Sequence, residues 1–347
     1  MLHAWLALQR RCALRPVEAR AALEESGDPR IALLRACRER PVEALPERDF
    51  ERDVRRLARL GVRLVPYGSP AYPERIAALL DAAPLLGVRG DPGALAGPFA
   101  ALVGARKATA YGLGVAARLA RELAACGVGV VSGLALGIDA AAHRGALEAG
   151  GRTVAVLGCG PDRVYPARHE RLAAEIAARG ALLSELPPGA PPLAYHFPLR
   201  NRLISALAEA VVVVEARARS GSLITAEHAA EQGREVLAVP GPVDAPESEG
   251  PNRLLRDGAA PVLDASDVLR AIGGQHVAPA SSARSAEPAD PESRALWLAL
   301  RSEPATRDEL AARLGLAPQE MARRLLPLEL DGRVLEDRDG RLRVVPT

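Results

Sequence analysis

The chain has 347 residues and a formal net charge of +2 at pH 7. Its apolar fraction of 48% and charged fraction of 25% are ordinary for a globular protein and exclude wholesale disorder. The low net charge means that no global electrostatic field attracts a polyanionic partner. At roughly 100–200 residues per domain, the length predicts two or three domains.

The four cysteines form no CxxC pair and show no spacing with histidines, so neither a zinc ribbon nor a disulfide scaffold is expected. No run of about 20 apolar residues occurs, and a membrane span is therefore not expected. We expect a cytoplasmic protein in a reducing environment.

Residues 1–60 are predicted to form a small all-helical domain. Helical periodicity begins at Leu2, begins again at Pro16, and covers Ile31–Ala36 and Asp49–Leu60, with turn signals between these segments. This region holds 13 arginines against 10 acidic residues, so it is slightly basic.

Residues 61–275 alternate between short β-branched runs and helical runs rich in alanine and leucine. The predicted strands are Phe99–Val103, Val128–Val131, Thr153–Leu157, Ala181–Ser184, Ala210–Glu215 and Glu235–Val239. The predicted helices are Gly112–Ala125, Ile138–Ala149, Arg168–Arg179, Asn201–Ala208 and Leu223–Gln232. Apolar strands separated by helices predict an α/β fold, a parallel sheet with helices on both faces whose ligands bind at the carboxyl ends of the strands.

A Pro/Ala/Ser-rich linker is predicted over residues 276–290. Residues 291–347 then predict three helices and two strands flanking Asp339-Gly340, which is a winged-helix pattern. This region has 10 arginines and 10 acidic residues, whereas a winged helix that grips duplex DNA is usually basic. A protein-contact or accessory role is favoured for it.

The turn after the predicted strand Phe99–Val103 has the features of a phosphate site. Gly104 allows close backbone approach, Arg106 and Lys107 add positive charge, and the following helix supplies free amides. Lys107 is also the only lysine of the chain. An ordinary strand-to-helix turn with a solvated Arg-Lys pair explains the same residues equally well.

A second anion cradle is predicted after the next strand, where Ser132 and Gly133 precede Gly137 at a strand-to-helix turn. Asp139 could simply cap that helix. The segment Gly158-Cys159-Gly160 lacks the third glycine of a dinucleotide fingerprint, and no P-loop motif occurs. No cofactor and no metal site are therefore expected.

The segment His196–Ile204 places an aromatic ring and two arginines around one of the chain's two asparagines. Arg200, Asn201 and Arg202 are predicted to lie at a helix start, where positive charge is unfavourable unless a phosphate binds there. Phe197 could stack on a base, as aromatic side chains do in single-strand binders. The alternative is a core phenylalanine with a solvated arginine pair.

A third helix start carries small hydroxyls and a glycine, at Ser220, Gly221, Ser222 and Thr225. Several cradles along one sheet edge suit an extended polyanion such as single-stranded DNA better than a small nucleotide. Three acidic residues, Glu185, Glu215 and Glu227, could instead serve as the carboxylates of an enzyme. Single acidic residues at strand ends more often cap helices or pair with arginines.

Five co-linear motifs closely resemble the DprA/Smf family (DNA-processing protein A) across roughly residues 60–265. They are Gly104-Ala105-Arg106, Ser132–Asp139, Phe197–Arg202, Ser220–Ala226 and Pro240-Gly241. The resemblance implies an extended Rossmann-like domain, an N-terminal SAM-like or helix-hairpin-helix domain and a C-terminal winged helix. Two positions depart from the family pattern, since Ala105 replaces a serine and His169 replaces an asparagine.

The resemblance also implies a function. It implies a non-enzymatic homodimer that binds single-stranded DNA, protects incoming strands and loads RecA onto them during natural transformation and recombination. The DNA-lining residues carry over to Arg106, Phe197, Arg200, Asn201 and Arg202. A nucleotide-processing enzyme related to the nucleotide phosphoribohydrolases is the alternative. A duplex DNA regulator is disfavoured by the neutral winged helix.

Overall fold

The computed structural model describes residues 1–12, 16–36, 47–273, 290–302, 305–330, 334–336 and 341–344. The chain divides into two compact units, Met1–Val277 and Ala278–Thr347. Residues 276–289 of the predicted linker and the predicted turn Asp339-Gly340 lie outside the described residues.

Four helices precede the sheet, as the sequence predicted: α1 (Leu2–Cys12), α2 (Pro16–Ser26), α3 (Pro29–Ala36) and α4 (Glu47–Arg59). Leu6 and Phe50 pack against Leu85 of the sheet. The buried Gln9 side chain donates hydrogen bonds to the carbonyl oxygens of Leu85 and Glu185, at 3.0 and 2.9 Å. These contacts join the helices to the sheet within the first unit.

Nine strands form the sheet: β1 (Val62–Pro66), β2 (Leu85–Gly90), β3 (Phe99–Val103), β4 (Gly129–Ser132), β5 (Thr153–Val156), β6 (Ala181–Ser184), β7 (Ala210–Val213), β8 (Glu235–Ala238) and β9 (Ala260–Pro261). The accompanying helices are α5 (Glu74–Ala77), α6 (Ala110–Ala125), α7 (Ile138–Glu148), α8 (Glu170–Arg179), α9 (His196–Leu207), α10 (Gly221–Glu231), α11 (Glu249–Arg256) and α12 (Ala265–Ala271). All six strands and all five helices predicted for this region are present.

The strand order is β1-β2-β6-β5-β4-β3-β7-β8-β9. Strands β3 to β9 pair in parallel, whereas β2 is antiparallel to both β6 and β1. The sequence had assigned neither β1 and β2 nor β9, so the predicted parallel sheet carries an antiparallel extension. Strand β3 lies between β4 and β7, where the direction of strand addition reverses, and ligands bind at such switch points.

The central strand shows why both faces of the sheet are covered. Ala101 and Val103 of β3 belong to one buried cluster, and Ala100 and Leu102 belong to the cluster on the opposite face. Successive strand residues point to opposite faces, so an all-apolar strand must be buried on both sides. The Rossmann-like arrangement of helices on both faces is therefore confirmed.

The second unit is a winged helix, as predicted. It contains α13 (Pro291–Ser302), β10 (Ala305–Thr306), α14 (Arg307–Leu314), α15 (Pro318–Leu330), β11 (Val334–Glu336) and β12 (Arg341–Val344). Thr306 and Glu309 form the capping box of α14, with the Glu309 amide donating to Thr306 Oγ1 at 3.3 Å. Leu296, Trp297 and Leu325 belong to its buried core.

Two kinds of site are absent from the part of the chain that the structure describes. No helix among them has the length and apolar character needed to cross a membrane. No cluster of three or more His, Cys, Asp or Glu side chains within the same residues could hold a metal ion.

Candidate nucleic-acid interface

A cavity of about 660 Å³ opens at the carboxyl ends of β3 and β7, at the switch point of the sheet. Its lining residues are Val103, Gly104, Ala105, Arg106, Lys107, Ala135, Asp139, Ala194, Phe197, Pro198, Arg200, Asn201, Ile204, Arg217, Arg219, Ser220, Gly221, Ser222, Thr225 and Glu247. Five of these side chains are cationic and two are acidic. The cavity therefore carries an excess of positive charge, although the net charge of the whole chain is only +2.

The predicted phosphate turn at Gly104 is closely packed. A Cβ atom on Gly104 would lie 2.6 Å from Ile138 Cγ1 and 2.8 Å from the Glu215 carbonyl oxygen. The Ala105 amide already donates to that same carbonyl oxygen at 2.7 Å. Glycine is needed here for packing of the protein itself. Arg106 and Lys107, in contrast, are exposed.

The start of α6 is occupied by a buried carboxylate of the protein. Glu215 Oε2 accepts from the Thr109 amide at 2.9 Å, and Glu215 Oε1 lies 2.5 Å from Thr109 Oγ1. Thr109 in turn accepts from the Gly112 amide as the N-cap. The predicted phosphate position at this helix start is therefore already filled by the side chain of Glu215.

The second predicted cradle is filled in the same way. Asp139 Oδ2 accepts from the amides of Gly133 and Ala135, at 3.0 and 3.2 Å. The buried Ser132 hydroxyl donates to the Leu102 carbonyl oxygen at 2.7 Å. Burial raises the pKa of Asp139, while the neighbouring Arg200 opposes this shift. Ser132 and Gly133 do not line the cavity, so the prediction of a free anion cradle at these residues is corrected.

Two residues of this loop have left-handed backbone. Leu134 has φ +58° and Gly137 has φ +77°. A Cβ atom on Gly137 would clash with the Ala105 carbonyl oxygen, so glycine is required there. The buried His169 ring donates from Nδ1 to the Leu134 carbonyl oxygen at 2.9 Å, since a carbonyl oxygen only accepts. His169 therefore braces this strained turn.

Helix α9 begins at His196, whereas the sequence predicted that Arg200, Asn201 and Arg202 lie at the start of the helix. The arginines consequently lie within the helix, and the expected conflict with the helix dipole at its start does not arise. Arg200 donates to the carbonyl oxygens of Gly133, at 3.0 Å, and of Val156. Burial lowers the pKa of Arg200 to about 10. Arg200 thus forms a buried part of the cavity wall, and its guanidinium is held by backbone carbonyl oxygens.

Arg202 points away from the cavity. Its guanidinium contacts Asp81 Oδ2 and Glu185 Oε2, both at 2.6 Å, and its side chain is 9% exposed. Burial raises the pKa of Glu185, although Arg202 favours the charged form. Residues i and i+2 of a helix lie about 200° apart around its axis, so Arg200 and Arg202 cannot face one ligand. The predicted DNA contact of Arg202 is corrected to a structural ion pair.

Phe197 is half-buried at the cavity wall. The Arg106 guanidinium lies 5.3 Å from its ring centroid, and the Tyr165 ring centroid lies 5.5 Å away with a 41° tilt. A Cβ atom on Gly158 would come within 2.7 Å of Phe197 Cδ1, so glycine leaves the space that this ring needs. An aromatic ring that lies beside a cation and a second ring can take part in stacking with a nucleobase.

The first turn of α10 carries no acidic residue, whereas Glu215 contacts the start of α6 and Asp139 lies in the first turn of α7. Ser220 is the N-cap, and its hydroxyl lies 2.8 Å from that of Ser222. The space around a Cβ atom on Gly221 is open. Asn201 Nδ2 donates to the Gly221 carbonyl oxygen at 3.1 Å and so ties α9 to this turn. This helix start offers its amides to an anion.

Two cavity arginines, Arg217 and Arg219, had not been singled out from the sequence. Both are exposed in the loop between β7 and α10, and Arg217 pairs with Glu247 at 2.6 Å. The signal available in the sequence was their position, directly before Ser220 and Gly221 at a strand end.

The three carboxylates considered for an enzyme have ordinary positions. Glu215 caps α6, and Glu185 pairs with Arg202, as the default interpretation held. Glu227 is exposed on α10 and does not line the cavity.

Fold and site together define a Rossmann-like protein with a cationic cavity at its switch point and a separate winged-helix unit. Residues 63–273 match the family model of DNA recombination-mediator protein A, and residues 280–340 match that of the DprA winged helix domain. The chain therefore belongs to the DNA recombination-mediator protein A family, as the five motifs indicated.

Similar proteins agree with this assignment. The chain is 41% identical over 296 residues to Protein Smf of Escherichia coli (strain K12), covering 83% of this chain and 79% of the relative. The structure of DNA processing protein A from Streptococcus pneumoniae matches with a TM-score of 0.66 at 32% identity, covering 76% of this chain and 95% of that one. The Helicobacter pylori DNA processing protein A, which binds single-stranded DNA, matches with a TM-score of 0.55 at 31% identity, covering 61% and 96%.

Proposed function

We propose that this protein binds single-stranded DNA in the cavity at the carboxyl ends of β3 and β7. The observation that carries the proposal is the start of α10, which has no carboxylate of its own and faces the exposed cations of the same cavity. A DNA phosphate would bind the amides near Gly221, with Arg106, Lys107 and Arg219 around it.

The aromatic wall favours a single strand over a duplex. Phe197 lies beside this cationic site, and the bases of a single strand are free to stack on its ring. With a net charge of only +2, the chain has no general attraction for nucleic acid, so affinity must come from this local cluster. The similarity to the H. pylori protein supports the same ligand.

Several residues keep revised roles in the proposal. Arg106, Lys107, Phe197, Gly221 and Ser222 are proposed as direct contacts. Arg200, Asn201, Ser220 and Thr225 are proposed to shape the cavity wall, because Arg200 and Thr225 are buried, Asn201 holds the α10 turn and Ser220 caps it. Gly104 provides close packing of the first turn.

The wider role we propose is protection of incoming DNA and loading of RecA onto it during natural transformation and recombination. Membership of the recombination-mediator family supports this role. This role requires that the protein is cytoplasmic and contacts RecA. We also propose that the protein acts as a homodimer. The neutral winged helix is proposed to contact protein rather than duplex DNA.

A nucleotide-processing enzyme has less support. Such chemistry needs a carboxylate that is free to act on a bound nucleotide. Glu215 contacts the start of α6, and Glu185 pairs with a buried arginine. Of the two carboxylates that line the cavity, Asp139 accepts hydrogen bonds from two backbone amides and Glu247 pairs with Arg217.

The test is fluorescence anisotropy with a labelled oligothymidine and the full chain. Arg106→Ala should weaken binding at least about fivefold and make the dependence on salt shallower. Arg118→Ala is the matched control, since Arg118 is a partly exposed arginine of α6 that pairs with Glu122. Equal affinity of Arg106→Ala and the unmodified protein would refute the proposed site. RecA loading is tested by adding the protein to RecA and oligothymidine coated with single-strand-binding protein, where faster filament formation is expected.

A further inference from the structure

Helix α4 has an exposed face that is rich in arginine. Four exposed arginines, Arg52, Arg55, Arg56 and Arg59, are spaced three, one and three residues apart, which places them together on a helix. We refer to these four residues as the arginine stripe. The opposite face holds the buried Phe50.

The buried face of α4 fixes the stripe in place. Leu57 is 2% exposed, and Phe50 and Val54 pack with Leu6 and Leu85. Asp53 is buried and pairs with Arg10 of α1. Because Asp53 faces inward, the four arginines dominate the outward face of α4. The exposed Glu51 flanks them and pairs with Arg55 at 3.5 Å.

The stripe lies next to the loop that leads from β5 to α8. Arg56 Nε is 3.0 Å from Asp162 Oδ2, and the Asp162 side chain is fully buried. Asp162 Oδ1 also accepts from the Gly189 amide at 2.9 Å, which fixes this part of the loop. The N-terminal helices and the DNA-binding edge of the sheet are thus in direct contact through Arg56.

The same loop reaches the proposed DNA cavity. Tyr165 is 44% exposed and its ring is 5.5 Å from that of Phe197 in the cavity wall. Arg163 and Arg168 on either side of Tyr165 are both exposed. A continuous series of contacts therefore runs from Phe197 through this loop to Arg56.

We propose that a single strand leaving the cavity continues across Tyr165 and onto the arginine stripe, whose guanidinium groups bind its phosphates. This inference rests on the proposed function, because it extends the same bound strand. The stripe and the loop offer cations with one exposed aromatic ring, which is the combination that tracks a nucleic-acid backbone and stacks a base.

A more ordinary explanation of the stripe is favourable interaction with the carboxyl end of the helix dipole. That explanation predicts that removing these arginines lowers the free energy of unfolding and leaves DNA binding unchanged. Length dependence of DNA binding separates the two explanations, since only a strand long enough to leave the cavity would reach α4.

The experiment compares oligothymidines of about 6 and about 20 nucleotides by fluorescence anisotropy at several salt concentrations, with the full chain. In Arg55→Gln/Arg59→Gln, both exposed arginines lose their charge, while glutamine keeps a good helix former in place. We expect unchanged affinity for the short oligomer and at least about fivefold weaker binding of the long one. The salt slope for the long oligomer should fall by about 1.4, which corresponds to two lost phosphate contacts.

Two control variants keep the outcome interpretable. Arg118→Gln/Arg121→Gln removes the same charge from α6, where these arginines pair with Glu122 and Glu148, and it should leave both affinities unchanged. Arg55→Lys/Arg59→Lys keeps the charge and should retain most of the affinity for the long oligomer.

The proposal is overturned if Arg55→Gln/Arg59→Gln binds the long oligomer as the unmodified chain does, which is also the result expected if the stripe serves an acidic protein. Equal weakening for both lengths would overturn it as well, because the effect would then act through the cavity. Failure of the proposed function gives a different result, in which Arg106→Ala has normal affinity for both oligomers.

Discussion

The ion pair of Arg202 with Glu185 gives the sharpest test of the corrected site. Replacing Arg202 with methionine keeps most of the side-chain volume but leaves the Glu185 carboxylate buried without its cation. Losing one partner of a buried pair costs about 3–5 kcal/mol. Asp81 also loses Arg202 as its partner, but its side chain is 36% exposed. Water therefore screens its charge, and the loss of this second pair adds little to the destabilisation. We therefore expect a loss of about 3 kcal/mol from the free energy of unfolding at neutral pH.

The assay is thermal or urea unfolding followed by circular dichroism, together with oligothymidine binding below the transition. In a unit of this size, about 3 kcal/mol corresponds to a decrease in melting temperature of roughly 6–12 °C. DNA affinity should be unchanged, since Arg202 faces away from the cavity. A variant with native stability but weakened DNA binding would refute the reasoning, because it would place Arg202 on the ligand.

The pH dependence of this variant provides a second check. Burial raises the pKa of Glu185 in the folded protein, and removal of Arg202 raises that pKa further. A carboxyl group with a raised folded pKa costs stability as the pH rises from its unfolded pKa through its folded one. The difference between Arg202→Met and the unmodified chain should therefore be largest at neutral pH and disappear below the ordinary glutamate pKa of 4.5. A difference independent of pH would point to lost packing instead.

Three further changes test other parts of the molecule. Phe197→Leu should weaken oligothymidine binding about tenfold by removing the stacking surface while keeping an apolar side chain, and an unchanged anisotropy titration would contradict this. Gly221→Asp should abolish most binding by placing a carboxylate on the α10 start, whereas Gly221→Ala, which has open space for its Cβ, should bind normally; similar affinity of the two variants would be inconsistent with an anion site. Burial lowers the pKa of His143 to about 3, so protonation of this residue favours the unfolded chain and stability should decrease as the pH falls from 6.5 toward 3. Replacing His143 with the uncharged Gln should flatten that acid limb of the stability curve measured by urea unfolding, and an identical limb would count against the assignment.

Much of the sheet could be predicted because buried parallel strands are apolar throughout. The strand Phe99–Val103 is an example, since every one of its residues is buried. Strand β1 was missed because its partner β2 lies about twenty residues further along the chain, and neither strand has a hairpin turn signal beside it. The start of α9 was misplaced because the helix begins before Pro198, and proline is tolerated in the first turn of a helix, where amides lack partners.

The candidate site could be predicted to the level of motifs but not of individual side chains. The motifs correctly brought Arg106, Phe197 and Gly221 to one cavity. Which of Arg200 and Arg202 faces that cavity depends on the phase of α9, which the sequence pattern did not determine. The carboxylate of Glu215 on the α6 start could not be foreseen either, because it comes from a distant strand.

The carboxylates on α6 and α7 also affect which molecules compete for the cavity. Glu215 contacts the start of α6, and Asp139 in the first turn of α7 accepts from the amides of the loop before that helix. Two of the three turns therefore already hold a carboxylate where a phosphate could bind. The protein does not need a bound nucleotide to neutralise these helix ends. A nucleoside triphosphate needs several phosphates held at once, and of these three turns only the α10 start is without a carboxylate. Under the proposed function, we expect this arrangement to favour a long chain over cellular nucleotides, and removal of the two carboxylates should reduce that preference.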